Sequence, residues 1–125
     1  MLKILILAKD PGSIKLLIPN IHIIDEPSIR ESTGFNLDPD TAGYGPILVS
    51  RVTNLVKAWK GKRPLAIILD MRYHTAVDQI PHDVSCLVYD GSKSKRLAYN
   101  CRYKTDVTIE NIDEINRLTD ILEAV

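Results

Sequence analysis

Three short runs of almost unbroken apolarity set the first limit on what this chain can fold into. Residues 2–8 hold Leu2, Ile4, Leu5, Ile6, Leu7 and Ala8, residues 64–69 hold Leu65, Ala66, Ile67, Ile68 and Leu69, and residues 84–88 hold Val84, Cys86, Leu87 and Val88. A strand with one wet face alternates apolar and polar residues, whereas one apolar throughout must be covered on both faces. All three runs therefore read as interior strands of a parallel sheet. Each is closed by an acid, Asp10, Asp70 or Asp90.

The segments between them supply the covering layers. Leu48, Val52, Leu55, Val56 and Trp59 recur at three- and four-residue steps, with Arg51, Asn54, Lys57 and Lys60 facing away, which predicts a helix. Pro46 suits its first turn, and Lys60 with Gly61 suits its end. A second helix is expected from Asn111, whose capping-box partner is Glu114, with a stripe of Ile112, Ile115, Leu118, Ile121, Leu122 and Val125. A short one fits residues 14–18, after a turn in which Asp10 or Ser13 can cap, and is stopped by Pro19. Residues 21–24 and 106–109 read as two further strands, the first closed by Asp25, Glu26 and Pro27.

The sum is a three-layer α/β domain with a mostly parallel sheet of about five strands and helices on both faces, a Rossmann-like or flavodoxin-like outline. At 125 residues and 45% hydrophobic, with no repeat and no linker, the chain reads as a single domain. Two stretches resist the pattern. Residues 30–46 hold three glycines and two prolines and show neither period, so they read as a long loop that is functional or mobile. Residues 92–104 fit either a short helix or the returning arm of a hairpin.

Charge and cysteine usage exclude whole classes. Sixteen Lys and Arg balance 16 Asp and Glu, which argues against nucleic acid and against an anionic membrane surface as partners. The basic cluster Lys93, Lys95, Arg96, Arg102 and Lys104, with Tyr99 and Tyr103 among it, could hold a nucleotide but is offset by the acids that follow. No apolar stretch approaches the roughly 20 residues of a membrane span, and the opening run is stopped at Lys9 and Asp10, unlike a signal peptide. A soluble cytoplasmic protein is expected. Cys86 and Cys101 alone make neither a disulfide framework nor a four-ligand zinc site.

In open α/β sheets ligands bind beyond the carboxyl ends of the strands, which directs attention to the three acid-closed exits. Lys9, Gly12 and Ser13 follow the first, Arg72 the second, and Ser92 and Lys93 the third. Charge, hydroxyl groups and a close backbone suit a phosphorylated or nucleotide-like ligand, although neither G-x-G-x-x-G nor G-x-x-x-x-G-K-[ST] is present. A second reading gathers Asp10, Asp70 and Asp90 around a hard cation such as Mg²⁺, with Asp70 and His74 as the catalytic pair of a phosphoryl-transfer or phosphodiester-cleaving enzyme. An acid at a strand end also serves simply to cap the next helix or close an Asx-turn. In a third reading the chain is a non-catalytic regulatory protein that engages a protein partner through residues 30–46, and a homodimer is compatible with it.

The order Asp10, Asp70, Ser92, Lys104 is similar to that of the response-regulator receiver domain. The resemblance implies a central Asp70 that accepts a phosphoryl group beside Mg²⁺. The departures are specific: Lys9 precedes Asp10 where the family has an acidic pair, the first helix is short, residues 34–45 are extra, and Thr105 rather than proline follows Lys104. The chain is not assigned to that family.

Overall fold

The computed structural model describes residues 2–18, 21–33, 38–88, 105–109 and Asp120. Five strands form one sheet: β1 (Lys3–Ala8), β2 (His22–Asp25), β3 (Leu65–Asp70), β4 (Val84–Val88) and β5 (Val107–Ile109). Every pairing is parallel, and the order across the sheet is β2-β3-β1-β4-β5. Among the described residues the helices α1 (Pro11–Leu17), α2 (Glu26–Thr33) and α3 (Tyr44–Ala58) accompany them, and a 3₁₀ helix Met71–Ala76 follows β3. Of the helix expected from Asn111 only Asp120 is described, and it is helical; the ambiguous residues 92–104 lie outside the described residues.

Strand order follows from which way each connection runs. β1 lies between β3 and β4, so the connection through α1 must pass over β3 to reach the edge strand β2. The returns from β2 to β3 and from β3 to β4 run the opposite way. Right-handed crossovers travelling in opposite directions lie on opposite sides of a sheet. The core divides accordingly. Ile4, Ile6 and Ala8 cluster with Ile14, Ile18, Ala66, Ile68, Cys86, Val88 and Ile109. Leu5 and Leu7 cluster with Ile29 of α2, with Leu48, Val52 and Val56 of α3, and with Met71 and Ala76 of the 3₁₀ helix. The unbroken apolarity of β1 is thus two interleaved alternations, one for each layer. In the Rossmann and flavodoxin orders β2 is the neighbour of β1; here that place belongs to β3.

Two local expectations need correction. Residues 30–46 are not a structureless loop: α2 runs to Thr33, and α3 begins at Tyr44, two residues before Pro46. The signal for α2 lies in Asp25-Glu26-Pro27-Ser28, where Pro27 falls in the first helical turn, whose N–H groups lack intrahelical partners in any case. Asp25 Oδ1 accepts from the Ser28 N–H at 2.9 Å, and Ser28 Oγ accepts from the Asp25 N–H at 2.9 Å, a reciprocal cap. Gly43, with a φ of 84°, turns the chain into α3. At the other end of α3, Gly61 is not the left-handed cap; the helix ends at Ala58 and Trp59 is already extended. A β-carbon on Gly61 would overlap the Trp59 ring, which lies flat on His22 with centroids 4.1 Å apart. Gly61 is there to leave room for that stack.

The opposite, amino-terminal edge of the sheet is closed by a repeated device. Asp83, just before β4, accepts the Lys3 N–H at 2.8 Å and donates its own N–H to the Lys3 carbonyl at 2.8 Å. Asp106, just before β5, treats Ser85 the same way: its carboxylate accepts from the Ser85 N–H at 2.9 Å, and its N–H donates to the Ser85 carbonyl at 3.0 Å. Lys3 also extends its ammonium to the Val56 carbonyl at 3.5 Å, near the negative end of α3.

Candidate functional site

Parallel pairing sets Ala8 opposite both Asp70 and Val88, so the exits of β3, β1 and β4 lie side by side. From β1 the chain leaves toward β2; from β4 it leaves toward β5, on the other side. Adjacent strands whose connections depart in opposite directions open a crevice between them, the place where such sheets bind ligands. The β1 exit supplies Lys9, Asp10, Gly12 and Ser13. Asp90, Ser92 and Lys93, expected from the β4 exit, lie outside the described residues. The β3 exit, with Asp70 and Arg72, flanks the crevice.

Each acid that closes a described strand at this edge has a structural task. Asp10 caps α1, accepting the Ser13 N–H at 3.4 Å, while the Ser13 hydroxyl donates to the Asp10 carbonyl at 3.0 Å. Asp25, buried, caps α2 and pairs with Lys15 of α1 at 3.4 Å. Asp70 caps the 3₁₀ helix, accepting the Arg72 N–H at 2.9 Å, and the Arg72 guanidinium lies 3.4 Å from the same carboxylate. That carboxylate pushes the Arg72 pKa up. Among the described residues no three His, Cys, Asp or Glu side chains gather as a metal centre.

The cations stay open to solvent. Lys9 is exposed and makes no ion pair among the described residues, and the Arg72 side chain is 65% exposed despite its pair. Gly12 is exposed within α1, and a β-carbon there would meet only Asp10 Oδ1, at an ordinary 3.7 Å. His74 is half-buried in the 3₁₀ helix; its Nδ1 is shut from solvent with no hydrogen-bond partner, so no His74–Asp70 hydrogen bond forms through it.

A second polar group at the same edge had no motif to announce it. Glu26 and Arg30, one helical turn apart on α2, meet Tyr44 at the start of α3. The Tyr44 hydroxyl donates to Glu26 and accepts from Arg30 at 3.0 Å, with the guanidinium also 5.6 Å from the ring centroid. Burial, followed by the hydrogen bond to Glu26, pushes the Tyr44 pKa up. Tyr73, half-buried, is pushed up by burial and then by the negative charge of Glu26, which ties this trio electrostatically to the β3 exit. The i, i+4 spacing of Glu26 and Arg30 was the legible part; their convergence on Tyr44 depends on how α2 and α3 pack.

Comparison with protein-family models, curated proteins and solved structures gave no match. The functional reading therefore rests on the chemistry of this edge. Exposed cations stand beside carboxylates already tied to backbone, an arrangement that suits an anionic ligand better than a bare metal ion. No helix among the described residues is long and apolar enough to cross a membrane.

Proposed function

We propose that the chain binds a phosphorylated or nucleotide-like ligand in the crevice where the β1 and β4 connections part. The observation that carries this reading is the parting of the β1 and β4 connections, with the β1–β3 pairing setting Ala8 opposite Asp70 so that Lys9, Gly12 and Ser13 follow the same edge as Arg72. Lys9 and Arg72 supply charge for phosphate oxygens, Arg72 with a planar fork suited to bidentate contact. Asp10 and Asp70 limit how much negative charge the site accepts, and their outer lone pairs suit ligand hydroxyl groups.

Binding to the native state raises its melting temperature, with a stabilisation that grows as the logarithm of ligand concentration over Kd. Melting curves in ATP, AMP, ribose 5-phosphate and pyrophosphate at millimolar concentration are expected to rise for at least one of them. Lys9→Ala and Arg72→Ala, both surface changes, are expected to remove the rise while leaving the ligand-free melt unchanged. A flat response to all four probes contradicts the proposal.

A further inference from the structure

We infer that the cavity between α3 and the 3₁₀ helix receives the base of a nucleotide whose phosphate lies at Arg72, an inference that rests on the reading above. The cavity measures about 200 Å³ and is lined by Gly45, Pro46, Val49, Tyr73, Thr75, Ala76 and Gln79. That is smaller than the ~300–1,000 Å³ of a pocket that encloses a drug-sized molecule, so it takes one ring system of a larger ligand.

Its lining defines which ring. No charged residue is among the seven, so no side chain of the lining offers a counter-charge to phosphate. Pro46, Val49, Ala76 and the Tyr73 ring give apolar walls, and a base stacks on an aromatic ring whatever its identity. Hydrogen-bonding capacity is nevertheless unspent. The Tyr73 hydroxyl and the Thr75 and Gln79 side chains make no hydrogen bond among the described residues, and the Gly45 N–H is one of the open donors of the first α3 turn. Apolar walls with donors and acceptors at the rim fit a planar heterocycle with a polar edge, which is the chemistry of a nucleobase.

The phosphate end is assigned to the exposed cation nearest the cavity in sequence. Tyr73 directly follows Arg72, whose guanidinium is exposed at the β3 exit. Tyr73 departs from helical geometry, with φ −91° and ψ 21°, and so interrupts the 3₁₀ helix at the residue that walls the cavity. At Gly45 a β-carbon would sit 3.5 Å from Tyr73 Cε1, an ordinary contact, so a larger side chain there extends into this space without straining the backbone.

The test compares ligands with and without a base on the intact protein. The four common nucleoside 5′-monophosphates and ribose 5-phosphate are titrated while amide resonances are followed by NMR. At least one monophosphate is expected to bind about tenfold tighter than ribose 5-phosphate, shifting the Gly45 amide and the Gln79 side-chain amide, which ribose 5-phosphate leaves in place. Gly45→Val is expected to remove that advantage while keeping ribose 5-phosphate affinity; Gln79→Leu is the second variant if the first fails to fold. Equal affinity for all five probes, with shifts confined to Lys9 and Arg72, overturns the base site and leaves the phosphate site standing. Failure of all five to bind overturns the base site, and with a flat melt in ATP and pyrophosphate as well it overturns both.

Discussion

Single residues separate the demands of folding from those of a ligand. Gly12 lies in α1 without a left-handed φ and with room for a β-carbon. Alanine there is expected to stabilise the ligand-free protein by about 0.5–1 kcal/mol, read as a higher urea midpoint, while weakening nucleotide binding by holding the ligand off the backbone. Gly61 is the reverse case: alanine must displace the Trp59 ring from His22, and a loss of about 1–3 kcal/mol is expected, with Trp fluorescence changed in the folded state. Tyr44 couples stability to alkaline pH. Its folded pKa is raised above that of the unfolded phenol, about 10, so the folded state holds the proton more tightly. That contribution is fully present below the unfolded pKa and is lost as pH rises through the folded one. Tyr44→Phe is expected to lower stability at neutral pH by about 1–2 kcal/mol and to make the alkaline fall shallower. Tyr73, raised for similar reasons, keeps part of that fall. An unchanged alkaline limb in the variant would assign the effect elsewhere.

Elements were legible where a local rule was sufficient. The apolar runs gave β1, β3 and β4 to within a residue or two, because only interior strands have both faces buried. The three-and-four spacing gave the body of α3. What escapes is α2: Pro27 looks like a stop in sequence but occupies a first turn, and Glu26 to Thr33 has little apolar stripe beyond the buried Ile29. Its stability comes from the Asp25–Ser28 cap and from contact with α3 through Arg30 and Tyr44. The two aspartates that tie strand starts together had no sequence signal either, because their partners lie tens of residues away. Asp106 serves the buried Ser85, whose N–H and hydroxyl both donate to one carboxylate oxygen, at 2.9 and 3.2 Å. Asp106→Ala is expected to cost about 1–3 kcal/mol, with the urea midpoint lowered at unchanged slope. The exposed Lys9→Ala serves as the control without a stability effect.

For the whole molecule, the parallel sheet could be read from composition of the runs, and the order β2-β3-β1-β4-β5 could not. Sequence patterns say that a strand is interior but not which strand is its neighbour; that depends on which way each crossover turns. The order sets the proposed site: the connections from β1 and β4 part, and Arg72 and Lys9 leave the same edge from neighbouring strands because β3 pairs with β1. The candidate residues Lys9, Asp10, Gly12, Ser13, Asp70 and Arg72 accordingly share one edge, while Asp83 and Asp106 hold the other. A crystal structure of the protein grown with a nucleotide tests this directly. The account predicts phosphate density within hydrogen-bond distance of Lys9 and Arg72; density only at the edge of Asp83 and Asp106, or none with millimolar nucleotide present, would contradict it.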